Sequence, residues 1–294
     1  APINLIYCPT GIFGFGTTGS YTAISNLVSN AGVVASDTAG VGTARDYIMA
    51  CEYGQDKGIF GFGNDGDYTG VTNLVSNVGV VASDVAAVGT AREGPGSATY
   101  GGDKGIFPYG RTGSYLDISN LVSNAGVVAS DTTSINGTTR SSSVGVEYGD
   151  NKDKALIFGG FYSGPTRTGV TNLISNAGVV ATDTAAVGTG RGWAGGCQYG
   201  YTKGIVGFGH NGSNLNMTNL ISDVGVVASD TAGVGTARHG PAGCEYNYDK
   251  GIMAYGTTGS QTTLTNKVSN TGIMASDGAG AGSGRQNLGG CSYG

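Results

Sequence analysis

Short runs in which bulky apolar residues alternate with glycine or polar residues recur along the chain, each bounded by Gly, Asn, Asp or Ser. In Gly58-Ile59-Phe60-Gly61-Phe62-Gly63, strand alternation puts Phe60 and Phe62 on one face and Ile59, Gly61 and Gly63 on the other. No segment keeps a helical period over a helical length. The pattern predicts four short strands in succession. The first ends in a recurring Tyr, as in Gly243-Cys244-Glu245-Tyr246, and the second is of the Gly58 to Gly63 type. The third covers Asn73 to Ser76 and the fourth Val80 to Asp84. Tyr-Gly-x-Asp-Lys separates the first two strands and Ser-Asn-x-Gly the last two. Gly closing a three-residue hairpin loop supplies the positive φ that a bulged turn requires.

This four-strand unit occurs six times. A segment of the form Asn-Leu-Val-Ser-Asn-x-Gly-Val-Val-Ala-Ser-Asp is led by Asn26, Asn73, Asn120, Asn172, Asn219 and Asn266. It ends in Asp37, Asp84, Asp131, Asp183, Asp230 and Asp277, and Arg45, Arg92, Arg140, Arg191, Arg238 and Arg285 follow. The Arg-to-Arg steps are 47, 48, 51, 47 and 47 residues. Four-stranded units of this length repeated six times predict an all-β fold, a six-bladed β-propeller of four-stranded antiparallel blades. A linear array would want distinct capping repeats. The chain instead finishes on Leu288-Gly289-Gly290-Cys291-Ser292-Tyr293-Gly294, a seventh first strand with no second strand behind it. It is expected to close the ring by pairing into blade one. Ile3 to Cys8 competes for that slot but lacks the turn signal, and is placed elsewhere on blade one. The expected single domain covers residues 1–294. Its blades are 11–45 plus 286–294, then 46–92, 93–140, 141–191, 192–238 and 239–285. A bulky face on each second strand would pack on the near-bare glycine face of the neighbouring blade.

Composition agrees with this reading and removes other classes. Gly is 57 of 294 residues, which excludes an ordinary helical protein, since Gly costs about 1 kcal/mol relative to Ala inside a helix. With 39% hydrophobic residues and a net charge of −5 the chain is not of the disordered class. It has no basic footprint for nucleic acid and no apolar run of the roughly 20 residues that membrane insertion needs. The start at Ala1-Pro2, without a charged-then-apolar leader, suggests a mature or leaderless chain, or one exported by another route such as release with a virus particle. The expected location is extracellular or virion-associated. Cys8, Cys51, Cys197, Cys244 and Cys291 are odd in number, and four of them precede a recurring Tyr by two residues. Equivalent sites on different blades do not normally touch, so these thiols read as buried small residues, with a disulfide or reactive thiol as the alternative. No spacing suits structural zinc, and no metal or cofactor is expected.

At this point the repeat resembles the kelch motif, in which a Gly-rich second strand follows an Arg-led first strand and a C-terminal strand often closes the ring. The Arg series and Ile157-Phe158-Gly159-Gly160 carry the resemblance. Only that copy has the Gly-Gly pair, and the family's spaced Tyr and Trp are missing, Trp193 being the sole tryptophan. The resemblance covers the whole chain as architecture. The near-identity of the copies also looks like repeat proteins of bacteriophages and other viruses.

Candidate chemistry is sparse. The six Asp and six Arg could line an ion site, but a role repeated in every blade is more often scaffold, and the guanidinium fork suits a structural clasp. Gly14 to Gly19, Gly61 to Gly66 and Gly207 to Gly212 match G-x-G-x-x-G, yet a strand follows where a dinucleotide site needs a helix. There is no G-x-S-x-G elbow, and only His210 and His239 could serve as ordinary bases near neutral pH, so no catalytic residue is assigned. Asp65-Gly66-Asp67 reads as a solvated loop, and Asn136, Asn211 and Asn216 head glycan-acceptor triplets relevant only to a eukaryotic secretory route.

The copies differ mainly in the loop between strands two and three and the loop between strand four and the next blade. Strand alternation puts both on one rim. Loops on a rigid scaffold are where binding residues usually sit. A recognition face is therefore expected around Tyr162, Arg167, Trp193, His210 and His239, with chemistry suited to sugars. Drift in unconstrained loops is the plain alternative. Three functional classes follow: a structural or attachment component of an extracellular assembly such as a virion, bound to protein partners; a free lectin-like binder of surface glycans; and, least supported, an enzyme.

Overall fold

The computed structural model describes residues 10–133 and 135–294. The expected placement of the N-terminal arm, and Cys8 with it, lies outside those residues. The described chain forms six three-stranded antiparallel sheets in a propeller-like arrangement. The first contains β1 (Thr10–Gly14) and β2 (Ser25–Val28), the second β3 (Met49–Tyr53), β4 (Lys57–Asn64) and β5 (Tyr68–Val75), and the third β6 (Ala98–Tyr100), β7 (Lys104–Pro108) and β8 (Ser119–Val122). The fourth is β9 (Val144–Tyr148), β10 (Lys154–Ser163) and β11 (Thr166–Ile174); the fifth is β12 (Gly195–Tyr199), β13 (Lys203–Gly207) and β14 (Thr218–Ile221). The sixth is β15 (Ala242–Tyr246), β16 (Lys250–Ala254) and β17 (Thr265–Val268). The last strand, β18 (Gly289–Tyr293), pairs antiparallel with β1, Tyr293 opposite Thr10 and Gly289 opposite Gly14.

The segment expected to be a fourth strand is not a regular strand. It touches the third strand through isolated bridges, Val28 with Val34, Val75 with Val81, and so on to Val268 with Met274. Side chains interrupt the ladder: Asn73 Nδ2 donates to the Ala82 carbonyl at 3.0 Å, and the Asp84 carboxylate turns to the preceding repeat.

The alternation along the second strand also needs correcting. The chain bulges between Gly61 and Gly63, and Phe62 adopts φ 62°, so Phe62 leaves the face that holds Phe60. Phe60 packs backward, edge to face with Phe15 at 5.2 Å and over Gly14, where a Cβ would sit 2.8 Å from its ring. Phe62 packs forward against Phe107 at 5.3 Å. Phe15, Tyr109, Phe208 and Tyr255 repeat this left-handed aromatic conformation. Thus the bulky-on-bare packing holds for Phe60 and for Phe107 over Gly61, and the bulge adds a second aromatic from the opposite side.

Cys51, Cys197, Cys244 and Cys291 are buried free thiols. Each Sγ lies over a glycine of another sheet, such as Cys51 over Gly105 and Cys291 over Gly58, and a Cβ there would come within 2.4 Å.

All six recurring arginines are fully buried, at 0% exposure. Arg45 shows the arrangement. It donates from Nε to the Phe62 carbonyl at 2.9 Å and from its terminal nitrogens to the Thr43 carbonyl at 2.9 Å and Asn73 Oδ1 at 2.7 Å. Its guanidinium lies 4.3 Å from the Phe15 ring centroid. Asn73 in turn donates to Asp84 at 2.8 Å, and Asp84 accepts from the Thr43 amide at 3.0 Å and hydroxyl at 2.7 Å. Arg45 and Asp84 therefore meet across successive repeats, linked by Asn73; Arg140 and Arg191 reach Asn172 and Asn219 in the same way, whereas Arg92, Arg238 and Arg285 turn to the Phe107, Met253 and Phe13 carbonyls. Gly42, at φ 84°, makes room for this latch, since a Cβ there would sit 2.2 Å from Asp84 Oδ1. The Asp-centred part of this latch joins the last repeat to the first: Asn26 donates to Asp37 at 2.9 Å, and Ser283 donates to it from its amide at 3.0 Å and its hydroxyl at 2.7 Å.

Candidate functional site

The first strands of successive sheets touch in the order β18, β3, β6, β9, β12, β15, and β15 touches β18. They line an axial channel with about 90 Å³ open to water-sized occupants. At one end the residue following each recurring Arg bridges to the end of strand two or the loop after it: Asp46 with Asn64, Glu93 with Arg111, Ser141 with Phe161, Gly192 with His210, His239 with Thr257, and Gln286 with Thr17. The two variable loops of every repeat are thereby brought together. The next residues, Tyr47, Gly94, Ser142, Trp193, Gly240 and Asn287, all have φ between 48° and 66°. Their backbones form a head-to-tail chain around the mouth: Gly94 N donates to Tyr47 O, Ser142 N to Gly94 O, Trp193 N to Ser142 O, Gly240 N to Trp193 O, and Asn287 N to Gly240 O, at 2.7–3.0 Å.

Four of the five residues expected to form a recognition face converge on this mouth. Trp193 lies 5.1 Å from His239 and 5.8 Å from His210, and the two imidazoles are 5.1 Å apart. Arg167 donates to His210 Nδ1 at 2.9 Å. Phe161, which the sequence reading did not single out, completes the group, 4.4 Å from Trp193 and 4.9 Å beneath the Arg167 guanidinium. Asn214 was missed as well, and it accepts from His239 Nδ1 at 2.6 Å. Tyr162 stands apart, exposed near the end of β10. Burial, with His210 alongside, pushes His239 down to about 4. Burial and the Arg167 charge lower His210 too. Both imidazoles are therefore uncharged at neutral pH, and each has a fixed hydrogen-bond partner.

Across the mouth lies an acidic group. Burial raises the Asp46 carboxyl to about 7 despite a hydrogen bond from Asn287, and Glu93 pushes it the same way. Glu93 forms an ion pair with Arg111 and accepts from Asn64 Nδ2 at 3.0 Å. Burial, followed by Asp46 and Glu93, takes the Tyr47 hydroxyl up to about 12.

The opposite end of the channel is occupied by side chains. Glu52, Glu147, Gln198, Glu245 and Ser292 line it. Lys152 Nζ lies 2.6 Å from Glu52 Oε2 and 2.8 Å from Glu245 Oε2. Glu147 Oε1 accepts from the Thr99 amide at 2.8 Å. Lys152 reaches the axis because its turn is longer: Tyr148 and Lys154 are six positions apart, whereas Tyr53 and Lys57 are four. The extra length forms a 3-10 turn over Asp150–Lys152. Burial favours a neutral amine, but the Glu245, Glu52 and Glu147 carboxylates outweigh it and hold Lys152 charged. Burial raises Glu245 to about 7, and burial and Glu52 raise Glu147.

Among the described residues no group of three or more His, Cys, Asp or Glu side chains is arranged to hold a metal ion. No helix there is long and apolar enough to cross a membrane. No protein-family model matches the chain, and neither does any curated protein.

Proposed function

We propose that the chain is a non-enzymatic binding and assembly module: a closed six-bladed propeller, kelch-like in plan, carried as a structural or attachment component of an extracellular assembly such as a virion. In this reading each three-stranded sheet, with its bridged fourth segment as an outer edge, is one blade. The common latch and the β18–β1 pairing support closure.

The observation that carries the assembly reading is a repeated exposed aliphatic residue. Val33, Val80, Val127, Val179, Val226 and Ile273 occupy equivalent positions and are 59% to 69% exposed. Single exposed apolar residues are ordinary on a monomer, but recurrence at one site in every repeat gives a regular apolar rim. Size-exclusion of native source material tests this. The chain should elute with a large particle, and a variant with all six residues changed to Thr should leave it. Native chain eluting only as a free small oligomer would overturn the assembly reading.

A second reading, a free lectin-like binder of surface glycans, draws on the mouth cluster of Trp193, His210, His239 and Arg167. A glycan array probed with the native chain and with a Trp193→Ala/Tyr162→Ala variant separates the two. Binding lost in the variant supports it, and equal binding by both proteins ends it.

A further inference from the structure

Two hairpins stand out at the mouth end. The ladder of the second sheet runs on to Asn64 opposite Tyr68, and that of the fourth to Ser163 opposite Thr166. In the other four sheets the pairing of second and third strands stops at Gly14 with Ser25, Pro108 with Ser119, Gly207 with Thr218 and Ala254 with Thr265. Both long hairpins are braced from the preceding repeat. Tyr21 donates to Asn64 Oδ1 at 3.1 Å, and Tyr115 donates to the Gly164 carbonyl at 2.9 Å. Each hairpin carries an exposed tyrosine, Tyr68 at 37% and Tyr162 at 38%. Tyrosine is enriched in protein interfaces, and a braced loop loses little freedom on docking.

The charges on these two hairpins are opposite in sign, and neither is compensated within the chain. The tip of the second sheet carries Asp65 and Asp67, both exposed. The fourth sheet carries Arg167, opposite Phe161 in the ladder. The ion pairs among the described residues include none of these three. Arg111, on the third sheet between them, is the contrast, since it is ion-paired with Glu93. Arg167 donates through Nη2 to uncharged His210, and its Nη1 is neither hydrogen-bonded nor enclosed. No carboxylate acts on the imidazoles beside it: burial and Arg167 lower His210, and burial and His210 lower His239. One chain thus presents an acidic tip and a basic tip on the same face, flanking the third sheet.

We propose that two copies of this chain dock mouth to mouth, the Asp65 and Asp67 tip of each against Arg167 of the other. A two-fold axis lying in the plane of the rim and passing through the third sheet exchanges the second and fourth sheets. It sets an acidic tip against a basic one on both sides of the axis, and it brings Tyr68 of each copy towards Tyr162 of the other. Such an isologous contact closes at two copies. The exposed Val33 series, which follows the turns at the other end of the sheets, faces outward and is left free for a larger assembly. The pairing rests on the closed ring proposed above, since only a ring fixes where the sheets stand about the mouth.

Sedimentation velocity of the purified full chain over a range of concentrations tests this. A monomer–dimer equilibrium should appear, weakened about tenfold when NaCl rises from about 0.05 M to about 0.5 M. Arg167→Glu and the double change Asp65→Arg/Asp67→Arg should each leave the chain monomeric at concentrations where the native chain is dimeric. An equimolar mixture of the two variants should restore a dimer, because each reversed tip then meets its opposite. Thermal melts confirm that each variant folds. The Asp65→Arg/Asp67→Arg change touches only exposed loop residues and remains decisive if Arg167→Glu does not fold. A native chain that stays monomeric, a dimer that survives either folded variant, or a mixture of folded variants that stays monomeric would overturn the pairing. Failure of the ring is read separately, from the melting of the chain without residues 288–294. A monomeric native chain that still travels with a large particle in its source material would overturn the pairing and leave the assembly reading standing.

Discussion

Arg191 has no exposed surface, and burial lowers its guanidinium to about 10, which still leaves it charged at neutral pH. Its charge is held by the Phe208 carbonyl at 2.8 Å, by Asn219 Oδ1 at 2.7 Å and by the Phe158 ring, with Asp230 farther off at 3.9 Å. Asp230 acts mainly on the neighbouring backbone, accepting from the Thr189 amide and hydroxyl and from Asn219. Asp230→Ala should lower stability by about 1–3 kcal/mol, because Asn219 and Thr189 lose an acceptor. Burial alone would raise the Asp230 carboxyl, but these hydrogen bonds and the Arg191 charge hold it below its ordinary value. A carboxyl lowered in the folded state contributes stability above its unfolded value of about 4, and that contribution is lost as pH falls through the folded value. Denaturant midpoints of native and variant chain should therefore differ fully at pH 7 and converge at low pH; a gap that stays constant with pH would contradict the latch. Repetition alone marked these Asp and Arg residues as scaffold in the sequence. Their partners were not legible, because nothing in a linear repeat says that Arg45 reaches forward to Asn73 of the following copy.

At the scale of elements, the turn carrying Lys152 shows how two extra residues can change the axis of the molecule. The Arg140-to-Arg191 step of 51 residues signalled extra length, but part of it lies in the longer hairpin between β10 and β11. Nothing in the sequence says that a turn lysine points inward. The Phe62 bulge was hidden for a related reason: period-2 alternation assumes an unbroken pleat, and the glycines flanking Phe62 permit the break. Lys152→Met should destabilise the protein by about 3–5 kcal/mol at neutral pH, since it leaves buried carboxylates without a counter-charge. Glu245 and Glu147 are already raised, and losing the lysine raises them further, so folding of the variant favours their protonated forms. Stability conferred by a raised carboxyl is present below its unfolded value and lost as pH rises through the folded one. Melting temperatures of the variant should accordingly approach those of the native chain near pH 4 and fall away towards pH 8. A deficit independent of pH would mean that Lys152 merely packs.

At the scale of the whole molecule, stability depends on β18, which sits beside β15 and β3 and completes the first sheet. Removing residues 288–294 strips β1 of its neighbour and exposes the edge of that sheet. The shortened chain should lose the single cooperative melting transition expected of the native chain, as followed by calorimetry, and an unchanged transition would refute the proposed closure. The six copies, the all-β class and the pairing of the last strand were legible because they follow from repetition and strand period. So was the rim that gathers Trp193, His210, His239 and Arg167, since alternating strand direction fixes which loops share a face. The buried interior of the axis was not, because Asn287, Ser143 and Tyr47 carry no repeated signal. In the proposed closed ring, the Lys152 ion pairs with Glu52 and Glu245 span one end, so the molecule would be a cup and not a tube. On that proposal any occupant would leave by the doorway it came through, and the side chains around Trp193 would govern both arrival and departure.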